Sequence, residues 1–297
     1  MGHDHKPHFS RTLAWVVILN FLFVLVEVFF GLVSHSLALL SDGGHNLGDV
    51  LGLSLAWGAA WLAGLPATYN RTYGYKRATL LAPLFSSLIL LVAMGSIAWE
   101  ALQRLAHPAA VHSGTVMLVA GIGVVINSAA ALLLHKQAHD VNMKSAFLHM
   151  AADAGISLGV VISGLAVALS GWVWLDPLVS LLIVAIILAG IYKLIKDTLD
   201  LNLDAVPAGV DIQKVRTFLL KQPGVTGMHD LHVWALSAAQ RALTVHLVMP
   251  RNPGDRFLVQ LEEELHARFG LDHATIQIEQ SDLGHQGCAP GVDACRP

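Results

Sequence analysis

Two stretches of this 297-residue chain set histidine and aspartate among residues that are almost all apolar or small. They are LLSDGGHNLGDVLG, holding His45 and Asp49, and FLHMAADAGISLG, holding His149 and Asp153. In each stretch the two residues are four apart, so on a helix the imidazole and the carboxylate share one face. Asp42 falls a turn earlier on the same side as His45. Two imidazoles and two carboxylates form a complete N2O2 ligand set for a tetrahedral ion of the Zn²⁺ type. A lone polar residue in an apolar helix commonly does no more than hydrogen-bond to a neighbouring helix. The same spacing used twice, at matching depth, favours metal binding over that plainer reading.

The elements that must carry these residues are read from the composition. Residues are 55% hydrophobic and only 13% charged, with a formal net charge of −3. That is about half the charge of an ordinary soluble domain. A disordered chain and a strongly basic or acidic nucleic-acid partner are excluded, and a polytopic membrane protein remains. Six stretches are long enough to span a bilayer as helices: Leu13–Val33, Leu37–Leu65, Leu80–Leu105, Val116–Leu134, Phe147–Leu169 and Leu175–Ile195. His45 lies roughly 12 Å from the outer end of its span and Asp153 roughly 9 Å from the inner end of its own, so both pairs fall in the middle third of the membrane. Small-residue stripes, Gly44/Gly48/Gly52 and Ala152/Gly155/Gly159/Ser163, are expected to let the two helices approach. Asn20, Glu27, Glu100 and Asn127 read as single polar residues bonded to neighbouring helices. The tryptophans Trp15, Trp57, Trp61, Trp99, Trp172 and Trp174 read as interfacial anchors.

The connections alternate in charge. Lys6 and Arg11, then Arg71, Lys76 and Arg77, then Lys136 and Lys144, then Lys193 and Lys196 fall on one side. The intervening connections hold no Lys or Arg, with Arg104 the one exception nearby. The positive-inside rule places both termini in the cytoplasm, and six spans put the two ends on the same side, so count and charge agree. No signal peptide is read in MGHDHKPHFSR. After the last span the pattern becomes soluble, with DIQKVRTFLLKQPG helical, MHDLHVWAL and RALTVHLVM alternating as strands, PGDRFLVQLEEELHARFG helical and ATIQIEQ a last strand. The expected organisation is a His-bearing N-terminal tail over 1–12, a six-helix membrane domain over 13–197, and a linker over 198–210. An α-β-β-α-β domain follows over 211–280, with a Cys/His-containing tail over 281–297. The fold class is therefore an α-helical membrane protein with a small α+β cytoplasmic domain.

ALLSDGGHNLGD, TYGYKRA, FLHMAADAGISL, GVTGMHDLHVWAL and ATIQIE resemble the cation diffusion facilitator family, over about Leu13 to Glu279. The resemblance implies a homodimeric exporter of Zn²⁺, and often Cd²⁺, Co²⁺ or Ni²⁺, working against protons. It also implies a metallochaperone-like cytoplasmic domain, and it carries the transport site onto His45, Asp49, His149 and Asp153. It further marks His229, His246, His273 and Glu279 as cytoplasmic zinc ligands. Alternation lends support by turning His229 and the residues two apart from it to one side of their strand, where His246 could sit beside it. Two departures stand out. The connection ATYNRTYGYKRA lacks His, Asp and Glu, so no metal is assigned there. No His-rich loop separates the fourth and fifth spans, where His135 and His139 read as surface residues, as does His266 on the second soluble helix. The tail residues His285, Cys288 and Cys295, like His3, His5 and His8 at the head, are candidates to complete a surface site with soft or imidazole ligands.

The function expected is divalent metal efflux by alternating access, with protons as counter-substrate, in the bacterial inner (cytoplasmic) membrane. Zinc is the substrate and also a bound ion of the cytoplasmic domain. No prosthetic group and no nucleic acid are implied. The alternatives are an intramembrane zinc hydrolase, which lacks a His-Glu-x-x-His motif and an open coordination position, and a passive metal channel.

Overall fold

Six long helices account for most of the chain up to Asn202: α1 (Arg11–Val33), α2 (Leu37–Ala63), α3 (Ala78–Ala106), α4 (Ser113–His135), α5 (Val141–Ser170) and α6 (Leu175–Asn202). The computed structural model describes residues 11–107, 109–135 and 141–281, with side chains from 21 to 107, 109 to 133 and 147 to 281. Four of these helices, α3 to α6, are long and apolar enough to cross a membrane. In α2 the apolar run is interrupted by Ser41, Asp42, His45, Asn46 and Asp49. The chain divides into two units, residues 1–54 with 85–194, and residues 55–84 with 195–297.

In the first unit, α2 starts at an unusual cap. Asp176, buried in the first turn of α6, accepts hydrogen bonds from the Ser36 hydroxyl and, at 2.7 Å, from the Leu37 amide. The Ser36 oxygen in turn accepts from the Leu39 amide at 3.2 Å. A carboxylate placed against the free amides of a helix start satisfies them and complements the helix dipole. Four residues on, the Ser41 and Ser180 hydroxyls meet at 2.6 Å, so α2 and α6 are joined twice. Arg104, near the same end, bonds to Glu100 at 3.0 Å and donates to the His35 carbonyl.

The glycine stripe of α2 serves a different contact from the one expected. A Cβ on Gly48 would lie 2.6 Å from Leu90 Cδ1, and one on Gly44 would lie 3.2 Å from Met94 Cε, so the stripe seats α3. Adjacent helix positions are about 100° apart, which turns Gly44 and Gly48 away from the face of His45 and Asp49. On α5, Cβ atoms added to Gly155 and Gly159 would meet nothing within 4 Å.

In the second unit, α6 runs on to Asn202 where a linker was expected from 198. Asn202 Nδ2 donates to the carbonyls of Thr198 at 2.8 Å and Leu80 at 3.2 Å. Beyond it come α7 (Ile212–Leu220), β1 (Gly227–Ala235), β2 (Arg241–Val248), α8 (Asp255–Phe269) and β3 (His273–Glu279), in the α-β-β-α-β order expected. Asp211 caps α7 through the amides of Gln213 and Lys214. Gly270 ends α8 at φ 63°, a conformation that favours glycine. The sheet order is β1-β2-β3, with β2 antiparallel to β1 and parallel to β3. Val215, Leu219, Leu261 and Leu265 of the helices pack on Leu231, Val233, Leu243, Val245 and Leu247, so one sheet face is covered. The other face carries His229, His246 and Glu279.

Removing the α2 cap strands a buried amide and a buried hydroxyl. Asp176→Ala is expected to cost about 1–3 kcal/mol, seen as a lower unfolding temperature of the detergent-solubilised protein.

Candidate metal centre

Helices α2 and α5 run antiparallel past each other at the site, so each histidine meets the aspartate of the opposite helix. His149 Nε2 lies 3.1 Å from Asp49 Oδ2, and His45 Nε2 lies 3.6 Å from Asp153 Oδ1. Within each helix the imidazole and carboxylate are 3.7 Å apart. A tetrahedral ion with bonds of about 2.0–2.1 Å has ligand–ligand edges of roughly 3.3–3.4 Å, so these four edges bracket the required size. Asp49, His149 and Asp153 form the tightest trio, with ligand atoms within 4.8 Å of one another. His45 touches both carboxylates, and its ring centroid is 6.0 Å from that of His149. Exposure falls steeply across the set, from 45% for the His149 side chain and 32% for Asp49 to 16% for His45 and 2% for Asp153. Among the described residues, neither buried oxygen of Asp153 has a hydrogen-bond partner, and neither does His45 Nδ1. A buried carboxylate so left is costly unless a cation meets it.

A second layer surrounds the four. Ser157, one turn beyond Asp153, donates to Asp42 at 2.7 Å, so Asp42 ties α2 to α5 instead of joining the ligand trio. Asn46, beside His45, donates to Glu27 of α1 at 2.9 Å. Glu27 is fully buried where glycines leave room, since a Cβ on Gly43 would lie 2.9 Å from its Cβ and one on Gly123 3.2 Å from its Oε1. Glu27 thus bonds to a neighbouring helix as expected, whereas Glu100 bonds within its own helix to Arg104. Asn127 is buried. The side chains of Asn20, His135 and His139 lie outside the described residues.

On the open face of the sheet, His229 and His246 are paired across β1 and β2, with ring centroids 4.9 Å apart. Glu279, at the end of β3, lies between them, 3.0 Å from His229 Nε2 and 2.9 Å from His246 Nδ1. Gln277 also donates to it at 2.9 Å. These three residues form a second group able to hold a metal ion. His273 is not part of it. It starts β3, opposite Ala242, and the six residues to Glu279 span about 20 Å of strand. Its ring instead meets Tyr73 at 5.8 Å between centroids. His266 is exposed, 3.6 Å from Asp272. His3, His5, His8, His285, Cys288 and Cys295 lie outside the described residues.

Two family models match the chain. The cation efflux transmembrane domain matches residues 13–201, and the cytoplasmic domain of cation efflux proteins matches 207–281. The chain belongs to the cation efflux family. It is 36% identical to the metal cation efflux system protein CzcD of Cupriavidus metallidurans, over 94% of this chain and 89% of that protein. It is 34% identical to the zinc transporter ZitB of Escherichia coli, over 97% and 96%. With a cadmium, cobalt and zinc/H(+)-K(+) antiporter of Bacillus subtilis it shares 29% identity over 100% and 98%. This cation efflux protein is therefore an integral membrane transporter, and the intramembrane hydrolase reading gives way.

Its cytoplasmic face holds a residue that strict alternation hides. The pairing shifts between His229 and His232, and Asp230 adopts φ 55°. This bulge leaves His229, Asp230 and His232 all off the core, with Met228 and Leu231 buried, so the expected two-residue alternation from His229 fails. Asp230 bonds to His232 at 3.0 Å and lies 3.8 Å from His246. The His232 hydrogen bond holds the Asp230 carboxyl below its ordinary pKa. An acid directly before a leucine and a second histidine was the available signal. For Glu279, burial acts to raise the pKa, but the His229 and His246 hydrogen bonds and charges outweigh it and hold the group low. A depressed carboxylate stabilises the fold above its unfolded pKa and loses that contribution as pH falls through the folded value. Glu279→Gln should therefore be less stable than the parent at neutral pH. The gap should close as pH falls below about 4 in denaturant titrations of the metal-free protein.

Proposed function

We propose that this protein exports divalent metal from the cytosol, Zn²⁺ foremost, with Cd²⁺, Co²⁺ and Ni²⁺ as related substrates, in exchange for protons. The ion binds His45, Asp49, His149 and Asp153. The observation that carries this reading is the buried Asp153 carboxylate, without hydrogen bonds among the described residues, facing two imidazoles at 3.6 and 3.7 Å. Nitrogen and carboxylate ligands at tetrahedral spacing suit zinc and its borderline neighbours better than Mg²⁺ or Ca²⁺. The names of the relatives, which include zinc, cadmium and cobalt transport and antiport, agree with it.

With both termini cytoplasmic, α2 runs inward and α5 outward. The exposed Asp49–His149 pair then lies nearer the cytosol than His45 and Asp153. That gradient supports a site loaded from the cytosol and later opened to the far side by alternating access. Imidazole must be neutral to bind metal, so a proton arriving from outside displaces the ion, and the ion arriving from inside displaces protons. The transport domain extends to the end of α6 at Asn202 and the cytoplasmic domain covers 211–280, and the membrane is the bacterial inner membrane. The protein works as a homodimer joined through the cytoplasmic domain, where His229, His246 and Glu279, with Asp230 beside them, bind a regulatory or structural zinc.

Two measurements separate the sites. In proteoliposomes with an imposed pH gradient, Asp153→Ala should lower zinc affinity by at least about a hundredfold and stop uphill accumulation. Unchanged proton-driven uptake by either Asp153→Ala or His45→Ala would sink the transport assignment. His246→Ala should remove one bound zinc per chain from the purified protein, measured by elemental analysis after dialysis, while the membrane site still fills. Retention of the full zinc complement would remove the cytoplasmic site.

A further inference from the structure

The connection between α2 and α3 encloses, together with β1 and the segment after α6, a cavity of about 1090 Å³ that lies entirely within the second unit. Its wall is held by several independent contacts. The Ala238 amide donates to the Thr79 hydroxyl at 2.9 Å, Tyr73 meets the His273 ring, and Arg77 pairs with Asp204 at 2.7 Å. Three cations line it, Arg71, Lys76 and Arg77, against the single carboxylate Asp204. Arg77 uses that carboxylate, so Arg71 and Lys76 are left in excess. Among the described residues neither has a carboxylate within ion-pair distance.

The two cations are also placed for one kind of ligand. The Arg71 guanidinium sits over the Tyr75 ring, 4.6 Å from its centroid. Stacking fixes the plane of the guanidinium and leaves its edge N–H groups to donate to an anion. Lys76 is half-buried in the same wall, one residue from the Tyr75 ring that carries the guanidinium. Leu81, Val206 and Ile212 give the same cavity an apolar side. Lys76 lies two residues before α3, an apolar helix of membrane-crossing length, so it stands at the depth of lipid headgroups. On the cytoplasmic orientation proposed above, that leaflet is the one rich in anionic lipid.

We infer that this cavity binds a phosphate ester through Arg71 and Lys76, supplied by the membrane as the headgroup of an anionic phospholipid. A guanidinium edge and an ammonium are the donors that phosphate oxygens take. The apolar side receives the glycerol and the start of an acyl chain. The α2–α3 connection thereby acquires a ligand of opposite charge to the transported ion.

The test uses the purified full-length protein in neutral detergent, with the fluorescence of Trp234 in the cavity wall and native mass spectrometry as readouts of binding, not transport. Short-chain phosphatidylglycerol should bind more tightly than phosphatidylcholine, and increasingly so as salt is lowered. The double variant Arg71→Gln/Lys76→Gln should weaken phosphatidylglycerol at least roughly tenfold, while Arg251→Gln, a cation outside the cavity, should not. Equal binding of the two lipids, or an unaffected double variant, overturns the site. Inorganic phosphate that displaces phosphatidylglycerol completely at equal concentration overturns the lipid as source and leaves a site for soluble phosphate. Zinc binding at the membrane residues reports that the double variant is folded. Should it fail to fold, Lys76→Met read in the same way decides the matter. Because zinc binding and lipid binding are measured separately, failure here leaves the transport proposal standing.

Discussion

A carboxylate in hydrocarbon is so unfavourable that its surroundings must answer it, and most of the membrane bundle can be traced to how four such groups are answered. Asp176 is met by the start of α2, where the Leu37 amide and the Ser36 hydroxyl donate to it. Asp42 takes the hydroxyl of Ser157, and Glu27 takes the amide of Asn46. Each of these joins two helices, and between them they fix α2 against α1, α5 and α6. Asp153 alone of the four receives no hydrogen bond among the described residues. The bundle therefore spends its polar contacts on holding the frame and leaves one deep carboxylate to be answered by an ion.

The cytoplasmic domain solves a similar problem differently. Glu279 also stands between two imidazoles, but it is hydrogen-bonded by His229, His246 and Gln277. Hydrogen bonds of this number hold a carboxylate in one place with or without metal. The membrane set has fewer contacts and longer distances, which suits a group that must bind and release. The same two residue types thus serve a fixed cluster on a sheet and a looser one between helices. The physical difference lies in the neighbours.

Much of this was legible in the sequence, for reasons that differ by element. The four-residue spacing of His45 with Asp49 and of His149 with Asp153 is a local property of any helix, so the shared face followed at once. The soluble elements carried their own punctuation, with Asp211 opening α7 and Gly270 closing α8. The misreadings concern relations between elements. The Gly44/Gly48/Gly52 stripe was seen, but which helix it would seat depends on a rotation about α2 that spacing alone leaves open. His273 shares a strand with Glu279, yet the strand carries it to the far end of the sheet. The role of Asp176 lies in a cap 139 residues away in sequence, and nothing local announces it.

The bulge at Asp230 has a consequence for how this part of the molecule can vary. A strand with unbroken pleat can lose or gain two residues and keep its faces, whereas loss of one exchanges them. Here the extra residue lies between His229 and His232, and the bulge absorbs it, so both histidines stay off the core although they are three positions apart. Chains related to this one by substitution can keep a polar cluster on the sheet with altered members. A chain shortened by a single residue at this point would lose the bulge and fall into regular alternation, with Leu231 still under the sheet and both histidines still off it. What the added residue brings is Asp230 itself, a third acid-or-imidazole position on this face, 3.8 Å from His246, that an unbroken pleat would leave no place for.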